Sequence, residues 1–137
     1  MRLREDMVRQ ENIELVRNVY GAYVSGDVGA VGDAFDPDVV WHTSGFGPTA
    51  GTYEGVQEVL GYLMADNHMD DYALDVVDML GSDDRVAVVA RTTGRRGDAR
   101  IQNDFIQLIE IRDGRIVEVW NYVWDQRAIA EFMAHAM

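Results

Sequence analysis

The side chains able to move protons at neutral pH are few: His42, His68, Asp104, Asp125 and Tyr20. His42 is the most useful, because an imidazole takes and returns a proton near pH 7. It follows Trp41 and precedes Thr43 in a run of β-formers, Val39 to Thr43. Strict alternation with Val39, Trp41 and Thr43 inward turns His42 outward; a bulge before Gly45 reverses this. Catalyst and surface histidine therefore both stay open. His68 is expected at an exposed helix terminus, where an imidazolium meets the helix dipole favourably.

Trp120, Tyr122 and Trp124 alternate along the last strand and share one face. A ladder of three large rings suits a flat, apolar ligand, and it equally suits plain core packing. Arg91 and Thr93 also share a face. Turned inward, Arg91 anchors a carboxylate or enolate; turned outward, it belongs to an interface.

Other chemistries are excluded or unsupported. All twelve basic residues are arginine, so no lysine amine exists for Schiff-base chemistry. The chain has no cysteine, hence no disulfide, thiolate nucleophile or thiolate ligand, which suits a cytoplasmic protein. Three scattered histidines form no metal-binding spacing, and no phosphate-binding glycine loop occurs; neither metal nor cofactor is expected. With 24 acidic against 12 basic residues the formal charge is −12, which repels nucleic acid and anionic membranes. No apolar run approaches the roughly 20 residues of a membrane span, and residues 1–10 lack the apolar core of a signal peptide.

The elements that must position these residues follow from periodicity. Apolar residues from Val8 to Val24 recur at three and four positions, predicting a helix over 5–25, after which Gly26-Asp27 stops it. A short helix over 28–35 ends before Asp36-Pro37, since a residue before proline avoids helical angles. The strand 39–43 and a glycine-rich loop 44–52 come next, then a helix over 55–67. Four strands close the series at 72–80, 85–93, 100–111 and 115–124, with Asp113-Gly114 as a hairpin turn. Asp125 is placed to cap a last helix from Gln126 to about Met133. Helices first and antiparallel strands second is an α+β layout. One domain over 1–137 is expected, with 1–8 a loose extension.

Several segments carry a resemblance: the 20–27 helix end, Phe35-Asp36-Pro37-Asp38-Val39-Val40-Trp41-His42, Gly51-Thr52-Tyr53-Glu54-Gly55, and Asp113-Gly114-Arg115-Ile116 leading to Trp120-Asn121-Tyr122. Together they cover roughly residues 10 to 130, and the chain resembles the SnoaL-like family of the nuclear transport factor 2-like, or ketosteroid isomerase-like, superfamily.

The resemblance implies a cone-shaped barrel, a strongly curved and mostly antiparallel sheet wrapped around N-terminal helices, with a closed hydrophobic pocket. The other sheet face often makes a homodimer. It implies no reaction, because the superfamily holds isomerases, polyketide cyclases, dehydratases, epoxide hydrolases and simple binders.

In the ketosteroid isomerases a strand carboxylate is the base; here Thr43 takes that place. Their oxyanion donors fall near Val19 and Tyr20 and at Gln107, so the isomerase mechanism itself is not supported. The pocket parity implied for the third long strand is Asn103, Phe105, Gln107 and Ile109, leaving Asp104 on the other face. Asn103 and Gln107 would then act as neutral donors to a carbonyl or enolate, or satisfy buried backbone groups. Arg96-Gly97-Asp98 has the Arg-x-Asp spacing of the limonene epoxide hydrolases but sits in an expected turn.

The implied catalytic set is His42, Gln107, Asn103 and Tyr20; the implied substrate-binding set is Trp41, Thr43, Tyr62, Phe105, Trp120, Tyr122, Trp124 and Arg91. Three functions stay open, the first two being a cofactor-independent acid-base enzyme on an apolar, oxygenated small molecule such as a polyketide, and a non-catalytic hydrophobic-ligand-binding or dimeric scaffold protein. An epoxide hydrolase-like activity is the third.

Overall fold

The computed structural model describes residues 2–65 and 69–134. Its elements run α1 (Arg2–Ser25), α2 (Val28–Ala34), β1 (Phe35–Thr43), β2 (Gly51–Glu54), α3 (Val56–Leu63), β3 (Asp70–Gly81), β4 (Arg85–Arg96), β5 (Ala99–Arg112), β6 (Arg115–Val123) and α4 (Gln126–Ala134). The segment expected as a loose extension is helical from Arg2 onward. The short strand β2 lies in the segment expected as loop: four residues between Ala50 and Gly55 give too little alternation to recognise.

Six strands form one sheet in the order β2-β1-β6-β5-β4-β3. All neighbours are antiparallel except β1 and β6, which lie parallel. The sheet is curved but does not close, since β2 and β3 stay unpaired with each other; this is the expected cone of a curved, mostly antiparallel sheet over N-terminal helices. Its concave face holds α1, α2 and α3 over a core of Val16, Val31, Val39, Val59, Val86, Val88 and Val119, each shielded from solvent. Burying a valine side chain is worth about 1.5–3 kcal/mol, so this layer is a main source of stability.

Local chemistry sets the joints. Asp27 caps α2 by accepting from Ala30 N at 3.1 Å, and Asp125 caps α4 by accepting from Ala128 N at 3.0 Å. Pro37, which cannot donate to a ladder, lies where β1 slips register against β6 between Phe35 and Val40. Asn12, buried on α1, donates to the carbonyls of Ser82 and Asp83 at 3.4 and 3.0 Å and pins the helix to the β3–β4 turn.

One irregularity decides which residues face the concave side. From the Asp113-Gly114 turn, Arg112 pairs with Arg115 and Ile111 with Ile116; beyond it, Glu110 pairs with Glu118. Val117 is the extra residue of a β-bulge. A regular hairpin would set Trp120 opposite Gln107; the bulge sets Asn121 there instead. Because opposed residues share a face, Val119, Asn121 and Val123 turn inward, and Trp120, Tyr122 and Trp124 turn outward.

Candidate ligand cavity

Between α1 and the concave sheet lies a cavity of about 480 Å³. Its walls come from α1 (Val19, Tyr20, Tyr23), β1 (Trp41), α3 (Tyr62), β4 (Thr92), β5 (Asn103, Phe105, Gln107) and β6 (Val119, Asn121). Among the described residues no carboxylate, imidazole or guanidinium lines it, although the chain carries 24 acidic residues. The wall is aromatic and aliphatic, with neutral hydroxyls and amides set into it.

Two polar groups of hydrogen-bonded side chains stand in this wall. Tyr20 on α1 donates its hydroxyl to Gln107 Oε1 on β5, in a short hydrogen bond across the cavity. The second starts at Trp41, whose indole can only donate: Nε1 gives its hydrogen to Thr43 Oγ1 at 3.1 Å. Thr43 therefore donates onward to the Tyr62 hydroxyl at 2.9 Å, and the nearby Asn121 side chain helps lower that phenol. Two atoms are left over. Asn103 Oδ1 and Asn121 Oδ1 are buried and accept no hydrogen bond.

The tyrosines stay protonated. Burial, then the neighbouring Tyr72 and Tyr23, pushes the Tyr20 phenol well above its ordinary range. Burial likewise raises Tyr62, outweighing the hydrogen bond from Thr43 that lowers it, and burial raises Tyr53 and Tyr72. At neutral pH these groups are hydrogen-bond donors and weak acceptors, not bases.

The structure brings together Tyr20, Trp41, Tyr62, Asn103, Phe105 and Gln107 in the cavity wall, with Thr43 hydrogen-bonded behind Tyr62. The remaining candidates lie elsewhere. His42 follows simple alternation and faces the convex side, where Nε2 meets Glu118 Oε2 at 2.6 Å, Nδ1 meets Thr52 Oγ1 at 3.0 Å, and the ring stacks on Trp120 at 5.6 Å.

Trp120, Tyr122 and Trp124 are not in the wall, and Trp124 is 85% exposed: the expected aromatic ladder belongs to the outer face, because of the Val117 bulge. Arg91 is also outside, paired with Asp104 at 2.6 Å; that hydrogen bond raises the guanidinium and holds the Asp104 carboxyl below its usual range. His68 lies outside the described residues.

Arg96 ends β4 rather than sitting in the turn, and its guanidinium reaches the carbonyls of Phe132 and Met133 and lies over the Phe132 ring at 5.0 Å. It holds the end of α4. Asp98 occupies the turn.

Asn121 was missed as a wall residue. The register between β5 and β6 contained the signal, since Asn121 stands opposite Gln107. Only the bulge makes it so.

The SnoaL-like domain profile matches residues 16–119. An uncharacterized protein of Mycobacterium bovis is 28% identical over 132 residues, covering 93% of this chain and all of the relative. Bal32a, from a soil-derived mobile gene cassette, superposes with a TM-score of 0.85 at 28% identity, over 92% of this chain and 98% of its own. TerC, co-crystallized with polyporic acid, shares the fold with a TM-score of 0.78 at 20% identity, over 90% and 98%. With the profile matched over most of its length, the chain belongs to the SnoaL-like family, and its architecture is NTF2-like.

Proposed function

We propose that this chain is a binding protein for a neutral, flat, apolar small molecule with a few oxygen substituents, of the polyketide or polyhydroxyarene kind. The observation that carries the reading is the cavity wall: about 480 Å³ of aromatic and aliphatic surface with amides and phenols and, among the described residues, no ionised group. An ionic ligand would lose its hydration without a counter-charge, a cost of several kcal/mol. A neutral ring system loses little and gains the apolar contact. TerC, which shares the fold, is co-crystallized with polyporic acid.

A second reading rests on the two phenols. Tyr20 with Gln107, and Tyr62 with Asn121, are neutral donors of the kind that stabilise an enolate, so a cyclase or isomerase reaction would run through them. The absence of a base among the described wall residues favours binding.

Titrating the protein with the neutral dye N-phenyl-1-naphthylamine tests the main reading. Saturable one-to-one binding with a Kd on the order of micromolar is expected, lost in a natively folded Thr92→Trp variant that fills the cavity. Absence of saturable binding sinks it. Turnover of an enone or polyketide mimic that disappears in Tyr20→Phe and Tyr62→Phe would replace it with the second.

The same reading pairs two copies through the convex sheet face, where Ile106, Tyr122 and Trp124 are exposed around the Arg91–Asp104 pair. An apolar patch of this kind on a sheet suits a self-complementary twofold contact.

A further inference from the structure

Resting on the pocket reading above, we infer that Asn103 and Asn121 are specificity-determining residues that select a ligand carrying a hydrogen-bond donor, a free hydroxyl, at each end of a rigid apolar body. Both side chains belong to the cavity wall, and in each the amide oxygen is buried without a donor. A buried acceptor left unpaired carries a standing penalty, and native proteins almost always satisfy it. No described protein group does so here.

The neighbouring polar groups show why the vacancy remains. Gln107, directly opposite Asn121, has its own oxygen occupied by Tyr20. The donor chain from Trp41 through Thr43 ends on Tyr62, and the contact between Tyr62 and Asn121 leaves the Asn121 oxygen unpaired. On β5, Asn103 stands opposite Thr92 of β4, which also lines the cavity. Rotation of an asparagine amide about its last torsion is soft, so each oxygen can turn to a ligand donor.

Their spacing gives the ligand's length. Asn121 is in register with Gln107, and Asn103 lies four residues before Gln107 on the same face, or about 13 Å along the strand. Phe105 stands between the two amides and supplies an apolar middle. A rigid body with hydroxyl oxygens about 8 Å apart, plus two hydrogen bonds of about 2.8 Å, spans that gap. Naphthalene-2,6-diol has this shape.

The test compares naphthalene-2,6-diol with its dimethyl ether, which has the same ring and no donor. Partition alone favours the more apolar ether. If the asparagines accept from the ligand, wild-type protein instead prefers the diol by about tenfold or more, with the monomethyl ether between them. Asn103→Leu and Asn121→Leu should each weaken the diol about tenfold while leaving the ether within about twofold. Because the wild-type comparison needs no variant, a leucine that prevented folding would not rescue the idea.

Equal affinity for diol and ether, or preference for the ether, overturns the asparagine assignment while the dye still reports a working pocket. Equal weakening of both ligands by the leucine variants overturns it as well. Failure of the dye and both ligands to bind wild-type protein overturns the pocket reading, and this inference with it.

Discussion

Tyr20 and Gln107, 87 positions apart in the chain, share one hydrogen bond that ties the last turns of α1 to the middle of β5. Both side chains line the cavity among apolar neighbours. Removing the phenol oxygen by Tyr20→Phe should cost about 1–2 kcal/mol, because Gln107 keeps a polar group that has lost its donor. Urea unfolding measures it. The double variant Tyr20→Phe with Gln107→Leu should recover part of that loss; a double variant less stable than the sum of the two singles contradicts the pairing.

Raised tyrosines make the fold sensitive to alkali. In the unfolded chain phenols ionise near pH 10, whereas in the folded chain burial holds Tyr20 and Tyr62 protonated to higher pH. Above that pH the unfolded state has released protons that the native state retains, so stability falls as pH rises, and is unaffected below it. Thermal midpoints should be flat from pH 7 to about 9 and drop beyond pH 10. Tyrosinate absorbance should rise together with unfolding rather than ahead of it. Ionisation of every tyrosine in protein that remains folded would contradict the burial argument.

The convex groups should be silent in ligand binding. His42 and Arg91 satisfy Glu118 and Asp104 on the face opposite the cavity. Replacing either by alanine should leave the dye affinity within about twofold, since exposed pairs contribute little. A tenfold loss for His42→Ala would return that histidine to the site.

The outer aromatics predict a different readout. Trp124→Glu together with Ile106→Arg should turn a dimer into a monomer in light scattering, with ligand affinity unchanged, because both side chains project from the sheet away from the cavity. Monomeric wild-type protein at about 100 μM would refute the twofold pairing.

Periodicity and turn chemistry alone determined much of this molecule. The helix from 5 to 25, the four long strands, the Asp113-Gly114 hairpin and the Asp125 cap were all legible, because each depends on neighbours within a few residues. Charge and residue inventory also sufficed to exclude lysine and cysteine chemistry.

Which face of β6 meets the ligand was decided only by the tertiary structure. One extra residue, Val117, exchanges Trp120 for Asn121 opposite Gln107, and a bulge has no local signature among Ile116, Val117, Glu118 and Val119, all compatible with regular strand. His42 was undecided for the same reason: a one-residue slip reverses every side chain beyond it, and it takes Glu118, Thr52 and Trp120 on neighbouring strands to hold the imidazole outside.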